Sequence, residues 1–333
     1  MYFSVFKLFF MMTLLVGTIL SVSSSSWFGA WVGLELNLLS FIPIMINMND
    51  QYSSEAALKY FLIQALGSSL VMTAVILMML HTKQVYSLLV CALVLKLGAA
   101  PFHFWFPEVV SELSWPQAAI LMTIQKIAPL YLLCYLASEV FISEYLYIFA
   151  MFSAILGALG GLNQTSLRKI MAFSSINHMG WLFASVLISE SMMIIYFLFY
   201  CLISLSVVFI FHYSQMYHFK HLMTSVTPTS MKVLMFMSLL SLGGLPPFTG
   251  FFPKWMIIQE MAGIGSMVPL FVLLGASLIT LYFYLRVATI FFTLSKNNLM
   301  ILFKTSKYYN LLVCFLVFIN FFGLLTPSLM MII

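Results

Sequence analysis

Charge is what this chain lacks most. Only 7% of its 333 residues are Asp, Glu, Lys or Arg, and 63% are hydrophobic. A soluble domain carries roughly 25% charged residues, so this chain has too few to cover itself with a water-compatible surface. Barrel strands are excluded as well, because they alternate apolar and polar residues over about 10 positions, whereas these runs are apolar on every side. The four cysteines (Cys91, Cys134, Cys201, Cys314) lie singly in apolar runs. None has the spacing of a redox pair, a zinc site, an iron–sulfur cluster or a haem attachment, and they read as small core residues. There is no phosphate loop, no G-x-G-x-x-G fingerprint and no hydrolase triad, hence no visible site for a nucleotide or flavin. The net charge of +5 is scattered over loops and spans. A nucleic-acid partner would need it gathered on one face.

Long hydrophobic runs fill the place of what is missing. A bilayer core about 30 Å thick takes about 20 apolar residues per helix. The runs fall near 3–21, 27–46, 56–80, 86–106, 115–138, 145–162, 171–189, 191–211, 232–260, 266–293 and 309–332. The expected fold is therefore all-α, a polytopic membrane protein of about 11 transmembrane helices. Residues 8–20 followed by Ser23–Ser26 have the outline of a cleaved signal peptide, but Lys7 alone makes a poor charged n-region. We read this segment as the first span. No Arg-rich transit segment is visible, which, with 25 Met, fits synthesis inside an organelle.

The run 232–260 is too long for one straight helix and holds Gly243, Gly244, Pro246, Pro247, Gly250 and Pro253. Proline removes a backbone donor and clashes with the preceding turn, so a break within the membrane is expected here. Such a break survives only where protein or a water-filled cavity satisfies the freed backbone groups. The run also has an echo. Residues 101–107 read Pro-Phe-His-Phe-Trp-Phe-Pro and residues 247–253 read Pro-Phe-Thr-Gly-Phe-Phe-Pro. They lie an odd number of spans apart, which gives the two copies opposite directions, the pattern of an inverted-topology repeat. The symmetry is imperfect, since Lys96 precedes its proline pair and Lys254 follows. Lys59, Arg168, Lys169, Lys220, Lys232, Lys296, Lys304 and Lys307 fall on one side. Lys83 falls on the other, beside Glu139, Glu144, Glu190 and Glu260. The positive-inside rule puts the first set, and the N-terminus, on the cytoplasm-like face.

A few charges sit deep. Glu35 is near the middle of the second span, Lys96 of the fourth and Lys126 of the fifth. Lys254 follows the break, His178 lies within the seventh span, and His103 is nearer the end of the fourth. A charge at the bilayer centre costs about 2.5–3.5 kcal/mol on insertion scales, so these positions read as functional. Each also has a plainer reading. Glu35 and Lys96 could be an ion pair fixing helix register, Lys254 could snorkel to the interface, and His178 could be a satisfied core residue. Arg286, near a span end, reads as an anchor. The functional reading is a proton relay, because a buried lysine is poised between desolvation and a nearby carboxylate and loads or releases a proton as its partner changes. Thr123, Gln125, Ser174, Ser175 and Asn177 are the candidate hydroxyls and amides between such groups. Gly29 with Gly33, and Gly157 with Gly161, form small faces for close helix approach. Trp27, Trp105 and Trp115 fit an interfacial belt.

Five stretches together resemble one family. They are Gly29–Asn37 (Gly-Ala-Trp-Val-Gly-Leu-Glu-Leu-Asn), Leu95–Pro107, Gln125–Pro129, Gly160–Lys169 with Ser174–Trp181 and, most specific, Gly243–Trp255 (Gly-Gly-Leu-Pro-Pro-Phe-Thr-Gly-Phe-Phe-Pro-Lys-Trp). They resemble the antiporter-like membrane-arm subunits of respiratory complex I, in the subunit 2 branch of animal and specifically insect-type mitochondria. The likeness is weak over 195–235 and after 290. It implies two inverted five-helix repeats, 1–140 and 141–295, each with a discontinuous helix, and a C-terminal loop and last helix over 296–333. It implies proton translocation across the mitochondrial inner membrane, with NADH oxidation and ubiquinone reduction carried out elsewhere in the complex. The chain itself is then expected to have no redox centre, to bind no cofactor or metal, and to keep its N-terminus in the matrix. By motif, Glu35 and Lys96 would be the coupled pair of the first half-channel and Lys126 the connecting lysine. His178 would be a central relay and Lys254 the residue of the second half-channel. Implied partners are the small hydrophobic membrane subunits including 4L, subunit 4, accessory subunits and a phospholipid such as cardiolipin, with no nucleic acid. A lysine at the second broken helix separates the chain from subunit 4, and its length from subunit 5. A stand-alone cation/proton antiporter and a purely structural membrane spacer remain alternatives.

Overall fold

The computed structural model describes residues 5–47, 50–78, 84–137, 140–224, 229–294 and 320. Among them every regular element is a helix, apart from a single-residue bridge between Ser166 and His218. The chain divides into two compact units, 1–153 and 154–333. Among the described residues eight helical segments, one of them interrupted at Thr123, are long and apolar enough to cross a membrane, and they fall on eight of the expected runs. The runs 86–106 and 232–260 are broken, and 309–332 lies outside the described residues apart from Asn320.

The first unit opens with α1 (Val5–Ser23) and α2 (Trp27–Met45), a tight hairpin. Ser26 caps α2, its hydroxyl accepting from the Gly29 amide at 3.2 Å. The hairpin closes because Gly33 has no side chain, and a Cβ there would stand 2.5 Å from the Ser21 backbone nitrogen. Gly29 meets only the side chains of Ser24 and Ser26. Gly33→Ala is expected to destabilise the hairpin by about 1–3 kcal/mol, the usual cost of overpacking. The yield of assembled protein on a native gel measures it, and an undiminished yield would reject this close approach.

Next come α3 (Gln51–Met78), α4 (Gln84–Leu97), α5 (Trp105–Glu112), α6 (Trp115–Met122) and α7 (Ile124–Leu136), the last two separated only at Thr123. With 14 residues, α4 reaches about 21 Å at 1.5 Å per residue, too short for the bilayer core alone. It ends on Gly98, whose φ of 67° suits glycine. Gly98 donates to the Leu95 carbonyl and Ala99 to that of Val94, the 5→2 and 6→1 bonds of a Schellman close. Side chains add two more donors to this last turn. Gln64 Nε2 donates to Lys96 O at 3.0 Å and Trp105 Nε1 to Leu95 O at 3.2 Å. This corrects the belt reading of Trp105, since the indole is needed inside as a cap. Trp115 is likewise fully buried. At the end of this region Lys59 pairs with Glu55 at 2.8 Å, Glu112 at 3.3 Å and Glu108 at 3.8 Å, joining α3 to α5.

Helix α8 (Val140–Gly161) carries the boundary between the units. The second unit holds α9 (Leu167–Ile188), α10 (Glu190–Tyr213), the short α11 (Phe219–Thr224), α12 (Thr229–Gly243), α13 (Phe251–Ile264) and α14 (Met267–Leu294). Helix α9 is central, with nearly every residue from Ile170 to Val186 buried. The expected break separates α12 from α13 and closes like the first. Gly244, at φ 81°, donates to Leu240 and Ser241, and Leu245 donates to Leu240. Asn320 holds it from outside, taking the Thr249 amide on its carbonyl and the Ser241 hydroxyl on Oδ1. Lys232, counted among the basic residues of one face at the start of the run 232–260, is buried on α12. Arg286 of α14 donates to the Leu162 carbonyl at 3.1 Å.

Candidate functional site

Each unit carries its own cluster of buried polar groups. In the first, the Schellman close turns the chain immediately after Lys96, so this side chain leaves the last turn of α4 beside the break. Lys126 stands in the first turn of α7, just past the interruption at Thr123. Both are buried, at 7% and 2% exposure. They line one cavity of about 20 Å³ together with Asn37, Tyr60, Gln64 and Gln125. A space above about 10–15 Å³ admits one water. Two atoms of its lining residues, Asn37 Oδ1 and Gln125 Nε2, are buried with no hydrogen-bond partner among the described residues. One is an acceptor and the other a donor, which suits a bridging water. Tyr60 steadies the second by donating to Gln125 Oε1 at 3.2 Å. Lys126 Nζ lies 5.1 Å from the centre of the Phe106 ring, a cation–π contact.

Glu35 stands off this cavity. It is half-buried, and among the described residues no ion pair within 4.0 Å joins it to Lys96. Its carboxylate acts on that lysine only by Coulomb attraction across space. A tight register-fixing pair is therefore not what the structure holds. His103 lies inside the break with Nδ1 3.3 Å from the Pro101 carbonyl.

In the second unit Lys254 is 6% exposed and turns back into the break, donating to the Gly243 carbonyl at 2.9 Å. It therefore does not snorkel. The ammonium replaces an amide that the glycine–proline turn cannot supply, and it lies 5.8 Å from the centre of the Trp181 ring. Trp181 is three residues from His178 on α9, so the two share one face. His178 is buried, its Nδ1 2.9 Å from the Tyr196 hydroxyl and its ring 5.1 Å from that of Tyr200. Ser174 and Ser175 direct their hydroxyl protons to Met171 O and Ala172 O on their own helix, leaving their oxygens as acceptors. Tyr284 of α14 is buried beside Ser174, and Asn177 Oδ1 has no partner among the described residues.

Thus Lys96, Lys126 and Gln125 line one cavity, whereas Ser174, Ser175, Asn177 and His178 follow one another on α9 and Lys254 approaches that helix at Trp181. Sequence reasoning missed Asn37, Tyr60, Gln64, Tyr196, Tyr200 and Tyr284. Tyr60 and Gln64 are four residues apart on one face of α3, a faint signal; the tyrosines of α10 are hidden among its many aromatics. Among the described residues no group of three or more His, Cys, Asp or Glu could hold a metal ion.

Comparison with known proteins places this arrangement. Residues 24–280 match the family model described as NADH:quinone oxidoreductase/Mrp antiporter, transmembrane. The NADH-ubiquinone oxidoreductase chain 2 of Anopheles gambiae is 46% identical over 304 residues, 88% of each chain. That of Aedes aegypti is 44% identical over 97% of each. Among solved structures, a chain of respiratory complex I from Thermus thermophilus superposes with a TM-score of 0.81 at 22% identity, over 98% of this chain and 80% of its own. A chain of the Mrp complex from a Dietzia species gives 0.76 at 19% identity, over 87% of this chain and 60% of its own. At those identities the structural likeness speaks for the fold. The sequence relatives speak for more: this chain belongs to the NADH-ubiquinone oxidoreductase chain 2 family, within the antiporter-like membrane proteins.

Proposed function

We propose that this chain is a core membrane-arm subunit of respiratory complex I that moves protons across the mitochondrial inner membrane. Redox chemistry elsewhere in the complex drives it, and the chain holds no redox centre or cofactor of its own. The observation that carries the reading is the shared cavity of Lys96 and Lys126, in a chain of which only 7% is charged. A lysine in such a place is costly to bury and has no packing advantage over methionine, so its ionisation is its use. Water between the two side-chain nitrogens lets a proton step from one lysine as ammonium to the other as neutral amine, without either leaving its helix. Lys254 and His178 serve the second half in the same way, and Glu35 biases Lys96 from a distance.

The two halves, 1–140 and 141–295, are read as inverted repeats. Supporting this, both broken helices end on a positive-φ glycine followed by a Pro-Phe step. The N-terminus faces the matrix by the distribution of basic residues. Neighbours are the small hydrophobic subunits including 4L, subunit 4, accessory subunits and an anionic phospholipid such as cardiolipin. Membership is tested by a native gel of solubilised inner membranes stained for NADH oxidation, with peptide mass spectrometry of the active band. Peptides of this chain in proportion to other subunits are expected, and their absence from the band would reject it. The relay is tested by the paired change Glu35→Gln, Lys96→Met. Proton uptake per NADH should fall while the complex still assembles, whereas a structural spacer predicts wild-type pumping. The Mrp-like fold favours one second reading, a stand-alone cation/proton antiporter. Ion transport by the purified chain alone in liposomes would carry that reading instead.

A further inference from the structure

We infer that Tyr196 is a positioning residue for His178, fixing which ring nitrogen exchanges the proton. The inference rests on the relay reading above. A histidine exchanges its proton at one defined atom only if its two nitrogens are distinguished, and the bond made by one sets the role of the other. Here the distinction is built in. His178 Nδ1 lies 2.9 Å from the Tyr196 hydroxyl, and both side chains are buried.

In the assigned tautomer Nδ1–H donates to the Tyr196 oxygen, which confines the lone pair of the neutral ring to Nε2. A proton that arrives binds at Nε2 and gives the imidazolium, and the proton that departs leaves from Nε2. The Nδ1 proton stays throughout. Its bond to Tyr196 strengthens while the ring is charged, because a charged donor makes the stronger hydrogen bond. The hydroxyl is suited to the task because it is neutral. A carboxylate there would hold the charged ring and stop release, whereas a hydrocarbon would leave Nδ1 free to compete as a second exchange point.

The other groups placed around this site make different contacts. Tyr200, also on α10, lies with its ring against that of His178. Lys254 of α13 is committed to the Gly243 carbonyl, and Tyr284 of α14 sits beside Ser174, a turn away from His178. Tyr196 and Tyr200 are four residues apart and so present one face of α10, which packs on α9. No motif in the sequence singles Tyr196 out, because α10 reads as a uniformly apolar span.

The test is a double-mutant cycle on intact complex I in inner-membrane vesicles, reading proton uptake during NADH oxidation. Tyr196→Phe removes one oxygen and keeps the ring, so assembly on a native gel should match wild type. Pumping by Tyr196→Phe is expected to fall about fivefold, equivalent to one hydrogen bond of about 1 kcal/mol. In a His178→Gln background, itself already low, the same change should do nothing further, since the group it positions is gone. Wild-type pumping by Tyr196→Phe alone would overturn the inference and leave the relay standing. An equal proportional fall in both backgrounds would overturn it too, by making the tyrosine a packing residue. Full pumping by His178→Gln would remove the relay at this position, and the inference with it.

Discussion

Replacing Lys254 with alanine should abolish most proton uptake coupled to NADH oxidation while the complex still assembles. The two halves of that expectation come from different terms. A buried ammonium costs about 2.5–3.5 kcal/mol to place within the bilayer. Its bond to the Gly243 carbonyl returns about 1.5–3 kcal/mol, the range for a charged donor. Removing both together nearly cancels, so the effect on folding is small beside the effect on pumping. The pumping loss has no such offset. A positioned proton-transfer group contributes roughly 100-fold or more, and even with partial bypass by water the uptake rate should drop at least about tenfold. Lys254→Met separates the two roles, because it fills the same space without a donor. Equal losses in the alanine and methionine variants, with equal assembly, fit a proton carrier. Full pumping in either variant would make Lys254 a structural cap on the broken helix and no more.

How far this site was legible depends on what hydrophobicity can encode. The depth of Lys96, Lys126, His178 and Lys254 could be read directly, since charge stands out against an apolar run, and the Gly–Pro cluster announced the break before Phe251. The first break was harder. Residues 97–106 are apolar apart from His103, so hydrophobicity merges the end of α4 at Leu97 into one span, although Gly98 and Pro101 mark the turn. Partners were harder still. In a soluble helix the apolar stripe tells which face is buried. A transmembrane helix is apolar on the lipid side as well, so the pattern gives no way to know that Asn37 and Tyr60 face a cavity or that Tyr196 faces His178. Tryptophan failed for a related reason. An indole at a span end suits the interface, but Trp105 is claimed by the Leu95 carbonyl, a demand visible only once the helix is known to stop there.

Gly250→Ala should be the most disruptive small substitution at the second break. The position immediately precedes α13, and a Cβ built there would fall on the carbonyl oxygen of Ser241 in the last turns of α12. The obstacle is backbone, so no rotamer change relieves it. The Ser241 carbonyl also takes the Gly244 amide, and the Ser241 hydroxyl is bound to Asn320, so moving this turn aside breaks the closure of the helix as well. Overpacking costs about 1–3 kcal/mol where side chains can shift, and this site should lie at or above the upper end. Gly263, in the same helix, provides the contrast: a Cβ there meets nothing within 4 Å. Alanine at that position should be neutral or stabilise the helix by roughly 0.5–1 kcal/mol. Assembled complex on a native gel should therefore be strongly reduced for Gly250→Ala and undiminished for Gly263→Ala. Equal yields would mean that the half-helices do not meet backbone to backbone, and that Lys254 is held in place by something other than the geometry of the break.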